Sequence, residues 1–185
     1  MESAKPIMKR LKNKHTDDLI DHYWGSINYV SSLIKASEIK AGLILSFYGI
    51  LLNFIYQHIK IMLEQLASSY ILYILLGLWF ACTVISIYFC IRCFMPQIEA
   101  KYEKNIFFFG DVVTKFGGIK DFSKIFFETS LDEKKLFDQL GQQIFIISKI
   151  AALKFRNVKR ALRFLALGLV TLLALVVNYL IVSLT

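Results

Sequence analysis

AALKFRNVKRALRFLALGLVTLLALVVNYLIVSLT, residues 151–185, decides the fold. Residues 154–163 carry five cations (Lys154, Arg156, Lys159, Arg160 and Arg163) and no carboxylate. The next 22 residues, Phe164 to Thr185, contain no Asp, Glu, Lys or Arg, and no proline separates the two halves. A helix needs about 20 largely apolar residues to cross about 30 Å of hydrocarbon. The stretch therefore predicts a membrane span entered directly from a basic helix. Upstream, Leu136, Leu140, Ile144, Ile147, Ala151, Phe155 and Val158 recur at three- and four-residue steps, which places them on one helical face. Ser130-Leu-Asp-Glu133 has the form of a capping box. Together these predict one helix from about residue 131 through the last span. At 1.5 Å per residue it is a rod of roughly 80 Å, projecting well beyond the membrane.

Two more charge-free stretches precede it. Between Lys40 and Lys60 lie 19 residues, diluted by Ser46, Asn53 and His58, and between Glu64 and Arg92 lie 27. Apolar residues make up 56% of the chain, above the roughly 45–50% of a soluble domain, and they are segregated from the charges in blocks. Disorder is excluded on this composition, and a plain soluble globule is disfavoured. Of the 22 Lys and Arg, seven fall in residues 1–40, fourteen in 92–163, and only Lys60 in the intervening hairpin. Basic residues near span ends stay in the cytoplasm. The expected organisation is a cytoplasmic arm and amphipathic helix (1–40), spans at 41–59 and 66–91, a cytoplasmic helical sensing segment (92–163) and a third span at 164–185. The C-terminus then lies on the far side. The fold class is an all-α, three-span helical membrane protein, built as a homo-oligomeric bundle. Forty residues with seven basic and five acidic side chains precede the first span, without a small-residue cleavage site, so no cleavable signal is expected.

Within the cytoplasmic parts, a helix is predicted to begin at Thr16, with Asp17 and Asp18 at the positive end of its dipole. Leu19, Ile20, Tyr23, Trp24, Ile27, Val30 and Ile34 form one apolar stripe, and nothing breaks the pattern before the first span. Pro96 should end the second span. Residues 97–105 read as a short charged helix, followed by NIFFFGDVV and a loop with Gly117 and Gly118. Chemistry is not indicated. His15, His22 and His58 are scattered, and FFFGDVVTKFGG lacks the P-loop order. Cys82, Cys90 and Cys93 sit in or beside an apolar run without a partner His. No catalytic residue, metal or cofactor is expected, and the chain is read as a non-enzyme.

Two features suggest binding or conduction, each with a plainer reading beside it. Gly42, Ser46, Gly49, Asn53, Tyr56 and Lys60 recur at steps of four and three along the first span. Such a stripe serves either close helix packing or the wall of a water-filled pore, with Ser46, Asn53 and Lys60 lining it. Gly168, Thr171 and Asn178 form a fainter version in the third span. The basic run is either a membrane-surface collar or an anion site in which Lys154, Arg156, Lys159 and Arg160 hold phosphate. Phe108 and Phe155 are candidates to stack a base, and both residue types also suit a core.

Several segments resemble one family. KASEIKAGLILSFYGILLN is similar to the approach to the first span in Pycsar-type transmembrane effectors. NIFFFGDVV is similar to that family's asparagine–aromatic–aromatic–Gly–Asp segment, through Asn105, Phe108, Phe109, Gly110 and Asp111, with Ile106 where a proline is frequent. QIFIISKIAALKFRNVKRALR resembles its closing helix, and the resemblance covers most of residues 25–175. It implies an antiphage effector of the bacterial inner membrane, working beside a nucleotide-signal synthase. In most relatives a cyclic mononucleotide activates, whereas in Hailong-type relatives an oligonucleotide holds the effector shut. The expected function is a nucleotide-gated, oligomeric ion-conducting pore. Its partners are further copies of the chain, the nucleotide second messenger and the lipid bilayer. The alternative is a membrane anchor that recruits a cytoplasmic partner and conducts nothing.

Overall fold

The computed structural model describes the backbone over residues 4–66, 70–95 and 103–184, and side-chain surroundings over 15–57, 70–95 and 103–181. Among the described residues five helices follow one another: α1 (Ala4–Leu66), α2 (Tyr70–Phe94), α3 (Phe109–Thr114), α4 (Ile119–Leu131) and α5 (Glu133–Leu184). Among the described residues there is no strand, so the chain is all-α. Three helices, α1, α2 and α5, are long and apolar enough to cross a membrane. The chain divides into two compact units, residues 1–33 with 98–151 and residues 34–97 with 152–185. The basic run 154–163 thus falls in the same unit as the apolar stretches of α1, α2 and α5.

Both long helices are continuous where the sequence predicted continuity. Three local expectations are corrected. α1 starts before Thr16, whose hydroxyl instead donates to Glu133 Oε1 at 2.8 Å. Residues 103–105 are not helical, and 97–102, with Pro96, lie outside the described residues. The cap of α5 is Asp132, not Ser130. Asp132 is extended (φ −97°, ψ 101°), and its Oδ1 accepts the amides of Lys134 and Lys135 at 3.1 and 3.2 Å. The Lys135 amide bond is the main reason its carboxyl sits below the usual range. Ser130 is still inside α4, its hydroxyl bonded to Phe126 O.

The seams of α1 and α5 repeat every seven residues. Along α5, Leu140, Ile147, Lys154, Ala161, Gly168 and Leu175 are all buried. Four positions after each, Ile144, Ala151, Val158, Leu165, Leu172 and Tyr179 are buried or half-buried. Along α1 the series is Tyr23, Ile27, Val30, Ile34, Ser37, Ala41, Ile44, Tyr48, Leu51 and Ile55, alternating steps of four and three. This 3.5-residue spacing is that of knobs-into-holes packing. The apolar reading placed Phe155 on the buried face, yet Phe155 is exposed and Lys154 fills the seam. A seven-residue repeat and a 3.6-residue helix drift apart by about 20° per heptad, and a charge at the seam hides which one is followed.

In the second unit α2 runs antiparallel to α5. Going down α2, Ser86 Oγ donates to Ala161 O at 2.9 Å, Cys82 and Trp79 face Gly168, and Leu72 clusters with Leu175. α1 runs parallel to α5 there: Glu38 pairs with Lys154, Lys40 lies over Phe155, and Ala41, Ile44 and Tyr48 share a core with Cys90, Cys93, Val158 and Ala161. Small side chains at these layers let membrane helices approach closely. Within this unit α1 and α5 thus run in one direction and α2 returns, an up–down–up arrangement of three helices long and apolar enough to cross a membrane.

The first unit is organised by the segment NIFFFGDVV. Asn105 is wholly buried. Its amide donates to Asp111 Oδ2 at 2.9 Å, its Nδ2 to Gln139 O at 2.7 Å, and its Oδ1 accepts from the Phe107 amide at 2.8 Å. Gln139 also accepts the Ile106 amide on Oε1 at 3.0 Å, while Asp111 pairs with Lys115 at 2.8 Å. A Cβ at Gly110 would lie 2.8 Å from the Phe108 ring, which explains a glycine there. Gly117 takes φ +60°, a conformation glycine adopts freely, and turns the chain from α3 to α4. Phe107 joins Trp24 to Phe126 edge-on, and Phe122 joins Phe126 to Phe116.

Candidate functional site

Helical geometry divides the five cations of residues 154–163 into two sets. Successive residues are 100° apart, so Arg156, Lys159, Arg160 and Arg163 fall within an arc of about 100°, and Lys154 lies roughly 160° from Arg156. The four are exposed, and among the described residues none of them is ion-paired. The Arg160 guanidinium lies 5.4 Å from the centroid of Phe89, which is stacked on Phe164. Lys154 is 8% exposed, its ammonium 2.7 Å from Glu38 Oε1 and 2.7 Å from Cys93 O. Its charge is neutralised inside the bundle, so it does not join the outer set. The grouping of Lys154 with Arg156, Lys159 and Arg160 rested on sequence adjacency, which on a helix does not mean a shared face.

The two stacking candidates are placed differently. Phe108 is buried, its ring lying against Gly110. Phe155 is at the surface, with Lys40 Nζ 5.9 Å from its centroid. They belong to different units.

The stripe of the first span faces away from the bundle. Ser46, Gly49, Asn53 and Tyr56 are exposed, while Ala41, Ile44 and Tyr48 face the core. Gly42 alone keeps contact, a Cβ there lying 3.9 Å from Phe94. Among the described residues, Ser46, Gly49, Asn53 and Tyr56 therefore do not serve packing within the chain. The Lys60 side chain lies outside the described residues. The stripe of the third span differs: Gly168 is buried in the seam, and Thr171 Oγ1 donates to Gly168 O at 2.9 Å. Cys82, Ser86, Cys90 and Cys93 are buried packing residues of α2, and no metal-holding cluster occurs among the described residues.

The contact that sequence reasoning missed is the Glu38–Lys154–Cys93 junction. Its one available signal was the seven-residue spacing that puts Lys154 in line with Leu140 and Ile147.

The family model of the Pycsar effector protein domain matches residues 22–181. No curated protein and no solved structure matches the chain. The matched region takes in the three apolar helices, the Asn105–Asp111 segment and the basic face of α5, the same segments that carry the resemblance.

Proposed function

We propose that this chain, which belongs to the Pycsar effector family of cyclic nucleotide-responsive antiphage effectors that act with a partner cyclase, is a nucleotide-gated pore of the inner membrane. The observation that carries the reading is the outward polar stripe of α1. Asn53 is exposed in a helix long and apolar enough to span a bilayer, and an amide in hydrocarbon needs water or a partner. Three helices cannot enclose a conducting path. Several copies around an axis, with Ser46 and Asn53 turned inward and Lys60 at the mouth, supply both the path and the hydration. The N-terminus and residues 98–151 lie in the cytoplasm, and the C-terminus lies outside. The protein performs no catalysis; opening depolarises the membrane.

The receptor is the outer face of α5. Arg156, Lys159 and Arg160, with Arg163 completing the row, hold the nucleotide phosphate. Guanidinium forks pair with phosphate oxygens in two parallel bonds. Copies about an axis bring several such rows together. Arg156→Ala with Arg160→Ala is expected to weaken cyclic-nucleotide binding at least roughly a hundredfold, at about 1.5–3 kcal/mol per charged contact. Calorimetric titration of the detergent-solubilised protein measures this, and unchanged affinity rejects the face. Asn53→Leu is expected to lower potassium flux in vesicles severalfold without changing nucleotide affinity. Unaltered flux would assign the stripe to contacts between copies instead of to the pore wall.

One observation favours a second reading. In the first unit Phe109, Val113, Ile119 and Phe127 are 79%, 67%, 89% and 63% exposed, an apolar surface suited to a protein partner. An anchor that recruits such a partner predicts no ion flux with any nucleotide.

A further inference from the structure

Lys154 occupies a seam position that α5 otherwise fills with Leu140, Ile147, Ala161, Gly168 and Leu175. Its ammonium touches two other helices at once, Glu38 of α1 at 2.7 Å and the Cys93 carbonyl of α2 at 2.7 Å. One turn on, Asn157 Nδ2 donates to Arg92 O at 3.4 Å. Arg92 and Cys93 lie in the last turn of α2. The final carbonyls of a helix have no acceptor duty within it and form the negative end of its dipole. Side chains of α5 thus cap α2 while neutralising a carboxylate on α1, and three spanning helices meet at one nitrogen. An apolar residue of similar volume would serve stability as well as such a pair or better. The best-attested use of a polar residue at one seam position is to fix register.

We propose that the Glu38–Lys154–Cys93 junction is the latch of the non-conducting state, broken when the effector opens. The proposal rests on the outer face of α5 being the receptor. Arg156, Lys159 and Arg160 lie on the same turns as Lys154, across the helix from it. A nucleotide that pulls this face toward the pore axis turns or slides the segment that holds the latch. The latch has two discrete states. A slip of one residue swings Lys154 by 100° and leaves Glu38 and two carbonyls without their partner. A ligand shifts such an equilibrium only through its difference in affinity for the two states, and the latch sets how large that difference must be.

The test reads potassium flux without nucleotide in phosphatidylethanolamine–phosphatidylglycerol vesicles, and growth on expression without a cyclase. Lys154→Met and Glu38→Gln are expected to conduct in the absence of nucleotide at least roughly tenfold above the unaltered protein and to be toxic. Glu38→Leu combined with Lys154→Met strands no charge. It is expected to melt no lower than the unaltered protein and still to conduct without nucleotide. A merely structural pair would give a double variant that gates like the parent, and that result overturns the latch. Folded single variants that stay silent without nucleotide overturn it too. If the single variants fail to fold, the double variant decides. Variants that conduct beside an unaltered protein that never answers a cyclic nucleotide would remove the receptor and keep the latch, whereas silence from every protein removes both.

Discussion

Asn105→Leu is expected to destabilise the first unit by about 2–6 kcal/mol, at about 1–3 kcal/mol for each of the two polar groups left unpaired. Leucine shares asparagine's branching at Cγ and its count of side-chain heavy atoms but is bulkier, so overpacking adds to the polar loss. The substitution strands the Phe107 amide and the Gln139 carbonyl, which the Asn105 side chain now satisfies at 2.8 and 2.7 Å. Both bonds are part-buried and converge on the wholly buried Asn105 side chain, where leaving polar groups unpaired is costly. Asp111→Asn is the milder control. It keeps an acceptor for the Asn105 amide and loses the charge facing Lys115, which is an i,i+4 pair with one partner 41% exposed. Its expected cost is below about 1 kcal/mol. Thermal melts followed by circular dichroism, with limited proteolysis between residues 103 and 118, separate the two variants. An Asn105→Leu protein that melts within a degree or two of its parent would mean that these bonds do not hold the segment.

The same residues mark how far the sequence could be read. The spans were legible because hydrocarbon penalises each charge strongly, so gaps between charges mark membrane segments without reference to tertiary structure. Their continuity with the flanking helices followed from the absence of proline and of any break in the stripe. NIFFFGDVV was recognisable as a pattern, but the reason for Asn105 was not. Its main side-chain partner, Gln139, is 34 residues away, and no local rule pairs the two. Ser130 and Asp132 illustrate the opposite failure. Both satisfy local capping rules, and only the extent of α4 decides between them. At Lys154 the chemistry of the residue itself misled. A lysine in a basic run reads as solvated, while its register on α5 commits it to Glu38 on another helix, 116 residues away in the chain.

Gly168→Leu is expected to separate α2 from α5, where Gly168→Ala is expected to be silent. A Cβ at residue 168 would lie 3.6 Å from Cys82 Cβ and 4.0 Å from Trp79 Cδ1, ordinary contact distances. Alanine therefore fits, and it favours the helix over glycine by up to about 1 kcal/mol. The three further carbons of leucine have no such room. They meet the buried Trp79 and Cys82 side chains, neither of which has solvent to move into. Overpacking of this kind costs about 1–3 kcal/mol, and here it is levered along two helices. The layers on either side, Ser86 with Ala161 and Leu72 with Leu175, are held by the same close approach. Because α2 also supplies the carbonyl that receives Lys154, loosening this layer weakens the junction seven residues before Ala161. Gly168→Leu should thus lower the folded fraction in a denaturing-detergent titration and, in vesicles, raise nucleotide-independent flux, while Gly168→Ala is at least as stable as the parent and shows the parent's flux. Equal behaviour of the two variants would mean that α2 and α5 do not pack at Gly168, and with that contact would go the antiparallel pairing on which the cap of α2 depends.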